Sequence, residues 1–312
     1  MTDRPPTPRV ALLDPVHGSF LEAMASRGWE SSDLAARQPG WEEELSRVHI
    51  LVVRSRTQVD DGLLGMCPRL RAVGRAGTGT DNVDASALER RGVGLVTAPG
   101  SNARAVVEHT WALILAALRH VPFGSLSLAE GHWEKNRCVG REVLGKTLGV
   151  VGLGRVGREV ARLGIAFGMQ VVSTDPFVSP EGAGLEGVLG TTLDALLARA
   201  DIVTLHLPLD GSTYHLLDEA KLGTMKPGAL LVNTARGGLV DEAALLEALR
   251  AERLGGAAID VFENEPGVSR ELVCHPRVVA TPHVGGSTVE SQERVGRDLA
   301  AALAAWWESS RG

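Results

Sequence analysis

The stretch Thr147-Leu-Gly-Val-Val-Gly152-Leu-Gly154-Arg155-Val156-Gly157-Arg-Glu-Val160 decides the reading of the chain. Its apolar run predicts a buried strand, its glycines a tight turn, and its end the first turn of a helix, in that order. Each glycine has a separate task. Gly152 permits the turn, Gly154 lets the backbone approach a pyrophosphate, and Gly157 lets the helix lie close to the strand. The phosphates then meet free amides at the positive end of the helix. Glycine turns between strand and helix also serve purely structural ends, so the next strand matters. It ends in Ser173-Thr-Asp175-Pro176, a carboxylate about twenty residues downstream, suited to accept hydrogen bonds from the adenosine ribose. A carboxylate there repels a 2′-phosphate and no arginine immediately follows it, which favours NAD over NADP.

Working outward, short apolar runs alternate with helical patterns along the whole chain. Beyond 147–151, strands are expected over 170–173, 202–205, 229–233, 256–259 and 278–281; six such strands fit a doubly wound sheet. Upstream, strands are expected over 9–13, 49–53, 70–73 and 92–96, with a helix over 19–27, forming a first parallel α/β unit. A helix over 103–119, capped by Ser101 or Asn102, bridges the two. The last helix, over 288–307, is amphipathic and follows the completed second sheet, so it is expected to return to the first domain. The fold class is thus α/β with two doubly wound parallel-sheet domains: residues 1–98 with 283–312 for the substrate, and 99–282 for NAD.

Composition agrees with two globular domains. The 312 residues are 44% hydrophobic, and the 37 glycines follow no period, as tight strand-to-helix turns require. A net charge of −6 offers no field to attract nucleic acid or an anionic membrane, so neither is expected as a partner. Cys67, Cys138 and Cys274 are widely spaced, which argues for idle thiols and against a metal site. Residues 1–8 are polar and proline-rich and no stretch is long enough to span a bilayer, so a cytoplasmic location is the default expectation.

Three later segments close strands of the second sheet, the edge where open α/β sheets bind ligands. They are Asn233-Thr-Ala-Arg236-Gly-Gly-Leu-Val-Asp241, Asp260-Val-Phe-Glu-Asn-Glu265-Pro266 and Thr281-Pro-His283-Val-Gly-Gly286. With the glycine fingerprint and Pro99-Gly-Ser-Asn102, they resemble the D-2-hydroxyacid dehydrogenase family through nearly the whole chain. The resemblance implies a flavodoxin-like substrate domain, a Rossmann NAD-binding domain, and hydride transfer between NAD and a small anionic 2-hydroxy or 2-keto acid. That reaction needs an anion clamp and a proton donor beside the carbonyl. Arg236 has the planar fork for the clamp. His283 suits the acid and base roles, and Glu265 would favour the protonated imidazole and fix its tautomer. Singly, each also reads as an ordinary polar residue: Arg236 an ion pair at a helix entry, Glu265 a loop charge, His283 a satisfied polar group. His206 is a rival base that the resemblance assigns to the cofactor.

The resemblance further implies a cofactor-lining set of Thr78, Gly152, Gly154, Arg155, Val156, Gly157, Asp175, His206, Thr234, Ala235, Asp260, Gly285 and Gly286. Substrate contacts are expected from Arg54, Arg75, Ala76, Gly77 and Asn102, with the cleft arginines gripping a second anion. The segments Val53-Arg54-Ser-Arg56-Thr57 and Gly74-Arg75-Ala76-Gly77-Thr78-Gly-Thr-Asp81-Asn82-Val-Asp84 resemble the phosphoglycerate dehydrogenase subgroup. Reduction of hydroxypyruvate or glyoxylate is the alternative, and an NAD-sensing co-repressor scaffold is the alternative of another class. The sequence ends one helix after the second sheet, so serine feedback through an appended regulatory domain is not expected. The resemblance implies a homodimer or higher homo-oligomer, with Trp111 and Trp133 in the contributing region; His109, on the long helix beside Glu108, reads as an interdomain hydrogen-bonding residue.

Overall fold

The structure is a computed structural model and describes residues 7–310; most of the proline-rich N-terminal stretch lies outside the described residues. Two compact units result. Unit 1 comprises the chain up to Arg104 together with the segment from Gly286 onward, and unit 2 is Ala105–Gly285. The expected cuts at 98/99 and 282/283 fall slightly earlier in each case. The helix Ala103–Leu118 starts on unit 1 residues, and the turn after the last strand belongs to unit 2 as far as Gly285.

Unit 1 holds a parallel sheet of β1 (Arg9–Leu12), β2 (Glu30–Asp33), β3 (Ile50–Val53), β4 (Ala72–Arg75) and β5 (Gly94–Thr97), ordered β2-β1-β3-β4-β5. The order reverses between β1 and β3, the arrangement of flavodoxin-like sheets. Phe20 and Met24 of the helix Gly18–Ala25 pack with Leu299, Leu303 and Trp307 of the helix Val289–Ser309 on Val10, Leu12, Ile50 and Val52. The terminal helix therefore completes the core of unit 1. Its close seat depends on Gly94, where a Cβ would lie 2.5 Å from the Trp306 ring.

Unit 2 holds β6 (Thr147–Val151), β7 (Gln170–Thr174), β8 (Val188–Gly190), β9 (Ile202–Leu205), β10 (Leu230–Asn233), β11 (Gly256–Ile259) and β12 (Val278–Ala280). They are parallel and ordered β12-β11-β10-β9-β6-β7-β8. Strands β9, β10 and β11 are buried at every residue, as expected of a parallel sheet covered on both faces. Leu196, Leu197, Leu222, Leu245 and Leu249 fill one side, and Val107, Trp111 and Ile114 the other. The sheet reverses direction of growth between β6 and β9, and at such a switch point the crevice beyond the strand ends receives ligands.

Two strands were not expected, so the counts of four and six become five and seven. Strand β2 reads Glu-Ser-Ser-Asp and is largely exposed, while β8 has three residues; both are edge strands held by backbone pairing to one neighbour. Ser101 and Asn102 do not act as the expected caps: Ser101 donates to Asp298 at 2.6 Å, and Asn102 Oδ1 accepts from the Thr78 hydroxyl at 2.9 Å. Trp111 is 4% exposed and packs against the Phe167 ring, so it is a core residue of unit 2 and no surface for a partner; Trp133 is 82% exposed.

Candidate active site

Arg236, Glu265 and His283 all belong to unit 2, on loops that leave β10, β11 and β12, three consecutive strands of the sheet. Glu265 and His283 are in direct contact, with Nδ1 2.7 Å from Oε2. The other carboxylate oxygen accepts from the Phe262 amide at 2.9 Å. Burial pushes the Glu265 carboxyl up, but the bonds from His283 and Phe262 outweigh it and hold the group below the ordinary carboxylate range. An ionised acceptor fixes the proton of the neutral ring on Nδ1, which leaves Nε2 as the nitrogen able to exchange a proton with a ligand. The His283 side chain is 44% exposed, so the ring is accessible.

The backbone under this pair is tightly specified. His283 has φ +53°, a left-handed conformation that few non-glycine residues adopt. Its amide donates to the Asp260 carbonyl at 2.8 Å. Asp260, 1% exposed, collects the rest of the loop: Oδ1 accepts from the Thr281 hydroxyl at 2.5 Å and the Val284 amide at 2.9 Å, and Oδ2 from the Gly285 amide at 2.8 Å. His109 Nε2 lies 2.9 Å from Thr281 Oγ1 and 3.3 Å from Asp260 Oδ1. Burial alone would raise the Asp260 carboxyl; the bonds from His109, Thr281 and the two amides lower it. His109, expected to bond between domains, instead bonds within unit 2, where both partners lie.

On the β10 side, Asn233 ties the turn, donating to the Arg236 carbonyl at 2.8 Å and accepting from the Ala235 amide at 3.1 Å. Arg236 Nη1 donates to the Ala235 carbonyl at 2.6 Å. The buried Thr234 hydroxyl meets that of Thr110 at 2.8 Å. A Cβ on Gly237 would lie 1.9 Å from the Phe262 carbonyl carbon; only glycine allows the loop carrying Arg236 to touch the loop carrying Glu265. Arg236, His283 and Glu265, expected as anion clamp, proton shuttle and orienting carboxylate, thus follow adjacent strands on one edge of one sheet.

The glycine loop is next to the switch point. Gly152 has φ +95°, and a Cβ there would meet the His206 carbonyl oxygen at 2.5 Å. A Cβ on Gly157 would lie 1.9 Å from the Gly152 oxygen, so the helix Arg155–Ala166 rests directly on the turn. At Gly154 a Cβ meets nothing within 4 Å, and the space is open where a pyrophosphate would approach. Arg155 and Val156 begin that helix. Asp175, at the end of β7, accepts from Leu153 at 2.7 Å and from Phe177 and Val178 at 2.8 and 3.0 Å; its remaining lone pairs suit ribose hydroxyls. Desolvation pushes His206 down to about 3, and its Nε2 lies 2.9 Å from the Thr204 hydroxyl, so the ring is neutral. A positively disposed helix end, an unobstructed glycine and a carboxylate at the next strand fit a dinucleotide without a 2′-phosphate.

The other expected residues belong to unit 1, apart from Gly285. The Arg75 guanidinium lies over Gly77: a Cβ there would sit 1.7 Å from Nη1, and Nη1 donates to the Ala76 carbonyl at 3.3 Å. Ala76 is buried, with its amide on the Val53 carbonyl at 2.8 Å. A Cβ on Gly286 would lie 2.9 Å from the Asn102 amide nitrogen. Asn233, Gly237, Thr281 and Thr110 were not singled out as site residues. Asn233, Gly237 and Thr281 stand inside quoted motifs, whereas nothing local in the sequence marks Thr110.

Residues 111–285 match the family model described as the D-isomer specific 2-hydroxyacid dehydrogenase, NAD binding domain. The chain is 46% identical over 254 residues to D-3-phosphoglycerate dehydrogenase of Bacillus subtilis, a match covering 81% of this chain and 48% of that protein; the chain spans about half the length of the curated relatives it matches. Among solved structures, a Thermus thermophilus protein superposes with TM-score 0.87 at 33% identity over 96% of this chain and 97% of that one. The D-lactate dehydrogenase of Aquifex aeolicus, solved with NAD and lactic acid, gives 0.84 at 28% identity over 96% of each chain. With the matched domain coinciding with unit 2 and the fingerprint at its switch point, the chain belongs to the D-isomer specific 2-hydroxyacid dehydrogenases, and unit 2 is their NAD binding domain.

Proposed function

We propose that this protein oxidises D-3-phosphoglycerate to 3-phosphohydroxypyruvate, a step toward serine, with NAD as its cofactor. The observation that carries the reading is the 2.7 Å Glu265–His283 pair beside the backbone contact that brings the Arg236 loop against the Glu265 loop. NAD, when bound, accepts the hydride that leaves C2. Arg236 holds the substrate carboxylate through its fork and polarises the C2 oxygen. His283 removes the hydroxyl proton through Nε2 as the C–H bond breaks, and returns one to the carbonyl oxygen in the reverse direction. Glu265 stabilises the imidazolium that forms. Thr78, Asp260, Gly285, Gly286, Thr234 and Ala235 are assigned to the cofactor together with the glycine loop, Asp175 and His206.

Substrate recognition is assigned to Arg54, Arg75, Ala76, Gly77 and Asn102, the two arginines answering the phosphate. The identity to D-3-phosphoglycerate dehydrogenases supports this choice over a smaller acid. Unit 1 is assigned to the substrate and unit 2 to NAD. A cytoplasmic homodimer or higher homo-oligomer completes the reading. It is supported by Val121, Leu126, Leu128, Trp133, Val139 and Leu144, all exposed on unit 2; among the described residues no single helix is long and apolar enough to cross a membrane. The test is a steady-state panel: D-3-phosphoglycerate with NAD, and hydroxypyruvate and glyoxylate with NADH. The reading predicts the phosphorylated acid to have the highest kcat/KM. Preference for glyoxylate would make the protein a reductase of small acids, and no turnover of any of them would point to an NAD-sensing scaffold.

A further inference from the structure

In unit 1 the chain reverses its strand order between β1 and β3, and two buried side chains hold the loop that follows β3. Asp14 follows β1 and is 2% exposed; Asn82 is 7% exposed. Asp14 Oδ2 accepts from the Arg54 amide at 2.6 Å and from the Thr57 amide at 3.3 Å. Asn82 Nδ2 donates to the carbonyls of the same two residues, Arg54 at 2.7 Å and Thr57 at 2.5 Å. Both ends of the loop 54–57 are thus satisfied, donor and acceptor alike, by one carboxylate and one amide. The Thr57 hydroxyl adds a bond to Asp14 Oδ1 at 2.9 Å, and the Val59 amide closes on the Asn82 carbonyl at 2.8 Å. Between the clamped ends, Ser55 and Arg56 are exposed and Arg54 is partly exposed.

A buried carboxylate is costly unless fully hydrogen-bonded, and Asp14 directs its bonds to the two ends of a four-residue surface loop at the strand edge where such sheets bind ligands. The geometry points to Asp14, Thr57 and Asn82 as positioning residues that preform the Arg54 loop for the phosphate end of the substrate. A preformed loop does not lose backbone freedom when the anion binds, so the gain is in substrate affinity and leaves the hydride and proton transfers alone. The inference rests on Arg54 meeting the phosphate, as proposed above.

The test compares Thr57→Val, which keeps the shape and removes the hydroxyl, with Thr57→Ser, which restores it, and with Asn82→Ala. KM and kcat are measured for D-3-phosphoglycerate and for hydroxypyruvate, which lacks the phosphate, with NADH affinity and thermal unfolding followed alongside. Thr57→Val is expected to raise KM for the phosphorylated acid about fivefold and Asn82→Ala about tenfold or more, as the loss of one and two hydrogen bonds implies. Thr57→Ser recovers most of the loss, and kcat, NADH affinity and KM for hydroxypyruvate stay within about twofold of the parent. Equal losses on both acids, or an unchanged KM for both in the folded Thr57→Val protein, overturn the positioning role. A parent protein that turns over hydroxypyruvate and not the phosphorylated acid overturns the substrate reading itself, and the inference with it.

Discussion

His283 is left-handed at φ +53° and is tied through Nδ1 to Glu265, so its ring has one orientation and one exchangeable nitrogen. Replacing His283 by Ala is expected to lower kcat by about 10²–10⁴-fold, the usual share of a general acid or base, with NADH binding intact by fluorescence titration. Glu265→Gln keeps the size and removes the charge; a bond to a charged group contributes about 1.5–3 kcal/mol, so kcat falls about ten- to a hundredfold. The pH dependence of stability follows from the same carboxylates. Glu265 and Asp260 are both held below the ordinary carboxylate range in the fold, so their contribution is complete above that range and is lost as the pH falls through the lowered values. Asp260→Asn is expected to cost about 1–3 kcal/mol in urea denaturation at pH 7, a deficit that shrinks in acid; a constant deficit down to pH 3 would contradict the assignment. The strand-end placement of His283, Glu265 and Arg236 was legible because each stands in a short motif that closes an apolar run. Asp14, Asn82 and Thr110 were not, since their partners lie 43, 28 and 124 residues away or nearer and only the folded chain pairs them.

At the level of elements, the turn from β6 into the helix Arg155–Ala166 separates folding from binding. Gly157→Ala pushes a Cβ into the Gly152 carbonyl, backbone that cannot swing aside, and overpacking of this kind costs about 1–3 kcal/mol. Gly154→Ala meets no protein atom, so stability is expected to change by less than about 0.5 kcal/mol while NADH affinity falls at least about tenfold. Thermal unfolding and NADH titration of the two variants check this; a Gly154→Ala protein that binds NADH like the parent would remove the pyrophosphate from this turn. The apolar strands were readable from sequence because a covered parallel sheet demands near-continuous hydrophobic runs. Strands β2 and β8 escaped because an edge strand is held by its neighbour's backbone, which leaves no mark in hydrophobicity. The helix start at Ala103 was readable, yet its caps were not, because Ser101 and Asn102 turn to Asp298 and Thr78.

For the whole molecule, the family assignment and the order of its motifs agree with two separately cored units, one carrying the fingerprint and the proposed catalytic residues. The exposed apolar side chains of residues 121–144 predict self-association: Leu126→Glu with Trp133→Glu is expected to lower the mass seen by sedimentation, and an unchanged mass would move the interface elsewhere. In the proposed reaction His283, paired with Glu265, moves the proton while a hydride passes from a D-2-hydroxy acid to NAD. It is tested most directly by following NADH absorbance with D-3-phosphoglycerate and with its L isomer, for the parent protein and for His283→Ala. NADH is expected to form from the D isomer alone, at a rate that falls at least about a hundredfold in the variant. Equal rates in the two proteins, or NADH from the L isomer as readily as from the D, would contradict it.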